Sequence, residues 1–300
     1  MTRNDIDLHD LNDKISTLVL ERYVLVEDAA AIVASLDDVP ADLAGADPAQ
    51  VAITLTGLLQ RTNADRHLRL RYRPDGAASN LAGPEHEARF AAEARRNAGG
   101  IHQVRRFDDG IGLLQIAPYL SAVHLAAPYV QAAFALLSSL DGLIIDLRNG
   151  MGGTPETVAV ICGHLLGQEP VHLQDILDRD GVAQQYWSVP AADRLDVPVR
   201  VLTSTATFSG CEELAYDLQA LGRAVVVGEP TGGGAHPVDA FKVSDCLELS
   251  LPIARSVNVM TGTNWEGVGV VPDRPCASVD ALDVALDDLR SGDDGRASAA

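Results

Sequence analysis

Residues 199–237 read VRVLTSTATFSGCEELAYDLQALGRAVVVGEPTGGGAHP. The run at 199–205 is rich in β-branched residues and predicts a buried strand. A short polar turn follows, and then Leu214, Leu218 and Leu221 recur at helical spacing. A second apolar run, 224–227, predicts the next strand, and Gly232, Gly233 and Gly234 close the unit. The pattern is strand, turn, helix, strand, with the hydroxyl of Ser209 where the helix begins. In α/β enzymes the loops at the carboxyl ends of strands are exposed, and a helix N-terminus favours negative charge, so Ser209 is a candidate nucleophile. The same residues carry a simpler reading. Ser209 and Glu212 form an S-x-x-E capping box, which requires no chemistry at all.

Upstream, the chain is of the same α/β kind. Residues 111–116 predict a strand and 130–140 an amphipathic helix. GLIIDL at 142–147 is almost wholly apolar and predicts a central strand buried on both faces. It runs into RNGMGG at 148–153, followed by a helix over 154–166 with Pro155 in its first turn. A Gly-rich turn before a helix presents backbone N–H groups to a phosphate or an oxyanion. No Lys follows these glycines, so this is not a Walker loop, nor is it G-x-G-x-x-G. An ordinary tight turn has the same look. Residues 171–187 hold a strand pair that the pattern does not place.

Downstream, short strands are expected at 241–244, 246–252 and 254–261. A loop rich in Gly and Pro spans 261–275 and carries Glu266 between Trp265 and Gly267. A carboxylate in such a loop is ordinarily a solvated charge. A last helix is expected at 280–289, and SGDDGRASAA reads as a disordered acidic tail.

The N-terminal part differs. Helical patterns at 15–23, 26–36 and 51–61 predict a small helical cap. In ADRHLRLRYRP, 64–74, Leu68, Leu70 and Tyr72 alternate with His67, Arg69 and Arg71, which predicts a strand with one polar face. His67 stands at its start, where a histidine is often only a surface residue. Residues 75–100 are rich in Gly, Ala, Pro and charge and read as a connection with a short helix over 85–96. The expected organisation is a helical cap with its His-bearing strand over 1–75, a connection over 76–100, an α/β core over 101–287 and a disordered acidic tail over 288–300.

Composition bounds the function. The 300 residues are 47% hydrophobic and 22% charged, ordinary for a globular chain with a sizeable core, and the net charge is −19. So acidic a surface repels phosphate backbones and anionic lipid, and aromatics are only 4%, so no nucleic acid and no membrane are expected as partners. The first residues are charged and carry no apolar run, so no signal peptide is expected. Cys162, Cys211, Cys246 and Cys276 are widely spaced, which fits reduced thiols in a cytoplasmic location. The histidines are scattered, and His86, in HEARF, lacks the second His of H-E-x-x-H, so no metal site is expected.

Together these segments resemble a family. GLIIDLRNGMGG resembles the D-L-R-x-N-x-G-G segment of the tail-specific, or C-terminal-processing, serine peptidases, and STATFSGCEELAYDLQALGRAVVVGEPTGGGAHP resembles their nucleophile segment. GTNWEGVGVVPD is similar to their closing loop. DRHLRLRY is similar to the D-G-H-L segment of the branch that includes the tricorn core peptidase and interphotoreceptor retinoid-binding protein. The four segments occur in order over most of the chain. The resemblance implies a crotonase-like (ClpP-like) α/β core with an N-terminal helical subdomain.

The family has two catalytic designs. In its Ser–Lys branch a Lys closes a G-E-x-T-x-G-K segment. Here the matching residues are Gly228, Glu229, Thr231 and Gly233, and Gly234 stands where the Lys would be. The next Lys, Lys242, is too far along. The resemblance then implies His67 as general base to Ser209, with Glu266 matching the family's acid. It implies an oxyanion hole from the backbone N–H of Gly210 and one from the Gly152–Gly153 turn, in acyl transfer without a metal or organic cofactor. The segment between residues 74 and 101 is too short for the PDZ domain common in the processing peptidases. Two departures stand out. Arg66 occupies the place of the tricorn-type serine next to the histidine and is a substrate-binding candidate for a carboxylate, with Trp265 a second contact. Met151 stands where small residues or proline are usual.

Three functions follow as expectations. The leading one is a serine peptidase, or related amide or ester hydrolase, acting on a peptide or small-molecule substrate. The others are a non-catalytic binding protein for an apolar small molecule such as a retinoid, and a hydrolase or acyltransferase that tailors a metabolite. Relatives of this fold often assemble, so a homo-oligomer is an open expectation.

Overall fold

The computed structural model of the chain describes residues 6–77 and 83–292. Residues 78–82 of the expected connection and 293–300 of the expected tail lie outside the described residues. The chain divides into two compact units, Met1–Gly83 with Ile176–Ala183 and His236–Ser256, and Pro84–Asp175 with Gln184–Ala235 and Val257–Ala300.

In the first unit, three helices pack with a small antiparallel sheet. Helix α1 (Leu8–Arg22) begins well before the expected residue 15, because the Asp7 carboxylate accepts the N–H groups of His9 and Asp10 and caps it. Helix α2 spans Val26–Ala34, and α3 (Pro48–Leu59) starts on Asp47 as N-cap with Pro48 in its first turn. Strand β1 (Arg69–Tyr72) pairs with a strand at Leu247–Pro252, which pairs in turn with one at Val238–Lys242. Leu247, Leu249 and Leu251 alternate along the middle strand and join Leu11, Ile15, Val19 and Leu55 in one core. β1 is shorter than the alternation predicts. Ala64 has φ 57° and the Asp65 carboxylate accepts the His67 N–H, so residues 64–68 turn before the strand starts.

In the second unit, helix α4 (Pro84–Arg96) leads to β2 (Ile101–Arg106) and β3 (Ile111–Ile116). Then come α5 (Val123–Leu136), β4 (Gly142–Asp146) and α6 (Pro155–Leu166). The 171–187 segment, whose residues 176–183 belong to the first unit, is β5 (His172–Asp178) and β6 (Gly181–Trp187), joined by a turn in which the Asp178 carboxylate accepts the N–H groups of Asp180 and Gly181. After it lie β7 (Val199–Thr203), α7 (Gly210–Ala220) and β8 (Val225–Gly228). The strands at Val238–Lys242 and Leu247–Pro252 are β9 and β10; β11 is Arg255–Asn258, β12 is Arg274–Pro275, and α8 is Ala281–Ser291.

The six-stranded sheet runs β12-β8-β7-β4-β3-β2, parallel except for β2, while β11-β5-β6 form a separate three-stranded sheet. β4 is buried throughout, as an all-apolar strand must be. Its side chains alternate. Leu143 and Ile145 pack with Val158, Leu214 and Leu218 on one face, and Ile144 with Leu202, Ala281 and Ala285 on the other. Parallel strands with helices on both faces leave their carboxyl ends as the place where loops collect. Among the described residues no helix is long and apolar enough to cross a membrane.

Candidate active site

The turns after β4 and β7 lie side by side at the carboxyl ends of two adjacent parallel strands. Two hydroxyl side chains and one backbone N–H lace them together. Thr207 Oγ1 donates to Leu147 O at 2.8 Å, Ser204 Oγ to Arg148 O at 2.6 Å, and Phe208 N–H to Gly150 O at 2.9 Å. Ser209 comes next, with φ 52° and ψ −127°. A side chain other than glycine pays about 1–3 kcal/mol to stay in such a region, and does so only where its surroundings hold it. The holding group is Glu212, whose Oε2 accepts the Ser209 N–H at 2.7 Å.

The close approach explains two glycines. A Cβ on Gly152 would stand 3.2 Å from Ser209 Cβ and 3.6 Å from its Oγ; a Cβ on Gly210 would stand 2.5 Å from Gly153 O. Gly153 itself forms a bridge to Leu120, and Gly152 O accepts the Leu120 N–H at 2.9 Å. Among the described residues no carbonyl or side chain accepts the N–H of Gly152, Gly153 or Gly210. Gly210 opens α7, so its N–H lies at the positive end of the helix dipole. Met151 is half exposed and anchored through its N–H to Pro118 O at 2.6 Å.

The capping box of the sequence is a larger device. Glu212 is fully buried and also accepts from Thr231 Oγ1, from Gly233 N–H at 2.6 Å and from Gly234 N–H at 2.9 Å. Burial pushes its carboxyl pKa up, and these hydrogen bonds pull against that shift. Glu212 thus welds the start of α7 to the glycine loop, and Gly234, at the matching position of the family's Lys, is held by its backbone. The next residue, Ala235, donates its N–H to Glu266 Oε2 at 2.5 Å. Trp265 is buried and donates its indole N–H to Gly234 O at 2.8 Å, with Tyr216 tilted against the ring. The Trp265 ring is therefore a packing surface of the core, not an open face for a substrate.

His67 and Arg66 belong to the first unit. Arg66 is exposed, and His67 is buried in the turn before β1. Burial, ahead of the charges of its neighbours, pushes the His67 pKa down to about 4. A second histidine of this unit is also buried. His236 Nδ1 lies 2.7 Å from Asp65 Oδ2. The same carboxylate oxygen accepts from Tyr23 Oη at 2.9 Å, and Asn63 Nδ2 bonds Tyr23 Oη at 2.8 Å and Asp28 Oδ2 at 2.7 Å. Burial works to raise the Asp65 pKa, but the His236 contact and the other hydrogen bonds prevail and hold it below the usual value. An ionised carboxylate only accepts, so His236 Nδ1 carries a proton toward Asp65.

The structure thus gathers Ser209, Gly210, Gly152 and Gly153 in the second unit, with Glu266, on the separate 261–275 loop, accepting from Ala235 next to the glycines that Glu212 clamps. His67, Asp65 and His236 gather in the first. A profile of peptidase family S41 matches residues 110–276, more than half of the chain. The chain belongs to peptidase family S41.

Individual S41 relatives agree. A carboxyl-terminal-processing protease of Picosynechococcus sp. is 31% identical over 133 residues, which is 44% of this chain and 31% of that protein. This S41 chain spans about a third of the length of the curated relatives it matches. A putative peptidase from Parabacteroides merdae is similar over 97% of this chain and 99% of its own, with TM-score 0.66 and 19% identity. The tricorn protease is similar over 94% of this chain and 37% of its own, with TM-score 0.60 and 14% identity. At these identities the likeness is one of fold, a mixed α/β arrangement shared with S41 proteases.

Two residues of this S41 chain escaped the sequence reading. His236 stands two residues after the triple glycine, in GGGAHP, and Asp65 two residues before His67. Either offset is visible in the sequence, but the 2.7 Å pairing joins positions 171 residues apart, which no local pattern reports.

Proposed function

We propose that this chain hydrolyses peptide or related acyl bonds with Ser209 as nucleophile. The observation that carries the reading is Ser209 held at φ 52° at the start of α7, directly before Gly210 and so close to Gly152 that a Cβ there would stand 3.6 Å from Ser209 Oγ. A strained serine at a strand-to-helix turn, with amide donors next to it, is the arrangement that acyl transfer needs. In this reading Ser209 Oγ attacks the carbonyl carbon and its proton passes to His67. The tetrahedral oxyanion is held by the N–H of Gly210 and one from Gly152 or Gly153. His67 returns the proton to the leaving amine, and water then releases the acyl group by the same steps in reverse. Glu266 orders the glycine loop through Ala235, and Arg66 receives a substrate carboxylate. The second unit is read as a crotonase-like core, and the chain as a cytoplasmic enzyme. The family membership supports peptides as the substrate class.

The Asp65–His236 pair favours a second assignment of the base. A histidine oriented by a buried carboxylate is the usual partner of a serine nucleophile, and here that histidine is His236 rather than His67.

The experiment is hydrolysis of activated esters and a peptide library by the wild type and by Ser209→Ala. A loss of at least about 1,000-fold in kcat is expected. Equal turnover by the two would overturn the reading.

A further inference from the structure

The second unit holds a cavity of about 380 Å³ at the opposite end of the sheet from Ser209. It opens where β7 and β8 begin, at Val199 and Val225, whereas Ser209 follows the carboxyl end of β7. Its lining carries three guanidinium groups, from Arg194, Arg200 and Arg223, against two carboxylates, Asp196 and Asp288. The chain as a whole has 42 acidic and 23 basic residues, so this local excess of positive charge runs against its composition.

The three cations are fixed differently. Arg223 is held by main-chain carbonyls, its Nε donating to Leu165 O at 2.7 Å, Nη1 to Val197 O at 2.9 Å and Nη2 to Leu195 O. A guanidinium has five N–H donors, so one remains on each Nη of Arg223. Burial, and then the charge of Arg194, push the Arg223 pKa below its ordinary value. The two like charges are thus close enough to act on one another. Arg200 is only 2% exposed and its Nε lies 3.7 Å from Asp288 Oδ2. That carboxylate is shared with Arg274, whose Nη2 is 3.0 Å from Oδ1. Arg194 pairs with Asp196 at 2.8 Å, and both are exposed, so this pair opens at little cost.

We propose that this cavity is a binding site for a small anion, a carboxylate or a phosphate. The anion sits between Arg194 and Arg223, relieves their repulsion and takes up their remaining donors, whose planar fork matches two oxygens of either group. Pro198, Ala224 and Leu289 add apolar wall for the body of the ligand. The volume falls in the range of small-molecule sites, about 300–1,000 Å³. The inference is independent of the hydrolase reading.

The test is isothermal titration of the full chain with sodium phosphate and with sodium butyrate, at ionic strength held constant with sodium chloride. Saturable binding of at least one anion is expected. Arg194→Gln, at an exposed position, is expected to fold as the wild type does and to bind about tenfold more weakly, the loss of one charge-assisted contact. Asp196→Asn removes the carboxylate that competes for Arg194 and is expected to bind several-fold more tightly. No saturable binding of either anion, or binding that neither substitution changes, would overturn the proposal.

Discussion

Glu212 Oε2 accepts the amide proton of Ser209 at 2.7 Å, and the same carboxylate accepts the amide protons of Gly233 and Gly234. One buried charge therefore fixes both the φ of the serine and the course of the glycine loop. Glu212→Gln replaces one acceptor oxygen by an NH2 that faces N–H donors. Thermal or denaturant unfolding is expected to show a loss of about 3 kcal/mol, with hydrolysis falling further than the folded fraction. Unchanged stability would mean that the clamp is dispensable.

Gly210→Ala should separate geometry from stability. Its Cβ would meet Gly153 O at 2.5 Å, which forces the two turns apart. A fall in kcat of about 100- to 1,000-fold is expected, the usual cost of one lost oxyanion donor, with circular dichroism unchanged. Wild-type kcat in a folded Gly210→Ala would contradict the claim that the reaction depends on the close approach of the two turns.

The general base is tested by pH. Burial lowers the His67 pKa to about 4, and a general base works only when neutral. The acid limb of kcat/KM is therefore expected near pH 4, with activity present above it and lost as pH falls through it. His67→Ala should cost about 100- to 10,000-fold in kcat. An acid limb abolished by His236→Ala and kept in His67→Ala would pass the role to His236 and its Asp65 partner.

The second unit carries a separate pH-sensitive element. Glu213 and Asp217 lie one turn apart on α7, both buried, and burial raises both carboxyls, Asp217 to about 7 and Glu213, with Asp217 beside it, well above its usual value. Gln174 faces Glu213, Glu156 adds its charge to Glu213, and Asn258 Nδ2 donates to Asp217 Oδ1 at 2.9 Å. Their folded pKa values exceed the unfolded ones, so the folded state binds more protons. Their contribution is complete below about pH 4 and is lost as pH rises through their raised folded values, about 7 for Asp217. His67 has the opposite slope, its folded pKa lying below its unfolded value, so its contribution is lost as pH falls from about 6.5 through 4. Asp217→Asn keeps the acceptor for Asn258. Relative to the wild type it is expected to gain stability as pH rises from 5 to 8, read as a growing difference in Tm. A difference that stays constant with pH would contradict the assignment.

Much of this was legible in the sequence. GLIIDL could only be a buried central strand, and the glycines of RNGMGG and the serine of FSG marked the two turns that meet. What local patterns missed depends on distant partners. Asp7 moves the start of α1, Ser139 at φ 57° follows an α5 that begins and ends earlier than its apolar pattern suggests, and Trp265 turns inward because Gly234 offers a carbonyl. Glu212 was visible as a cap, but its hold on Gly233 and Gly234 required the fold. Asp65 and His236 show the same limit most sharply.

The most direct measurement is labelling of the intact chain with a fluorophosphonate, followed by peptide mapping by mass spectrometry. The adduct is expected on Ser209 alone, with no labelling of a folded Ser209→Ala. A folded wild-type chain that stays unlabelled, or an adduct on another residue that persists in Ser209→Ala, would contradict the account.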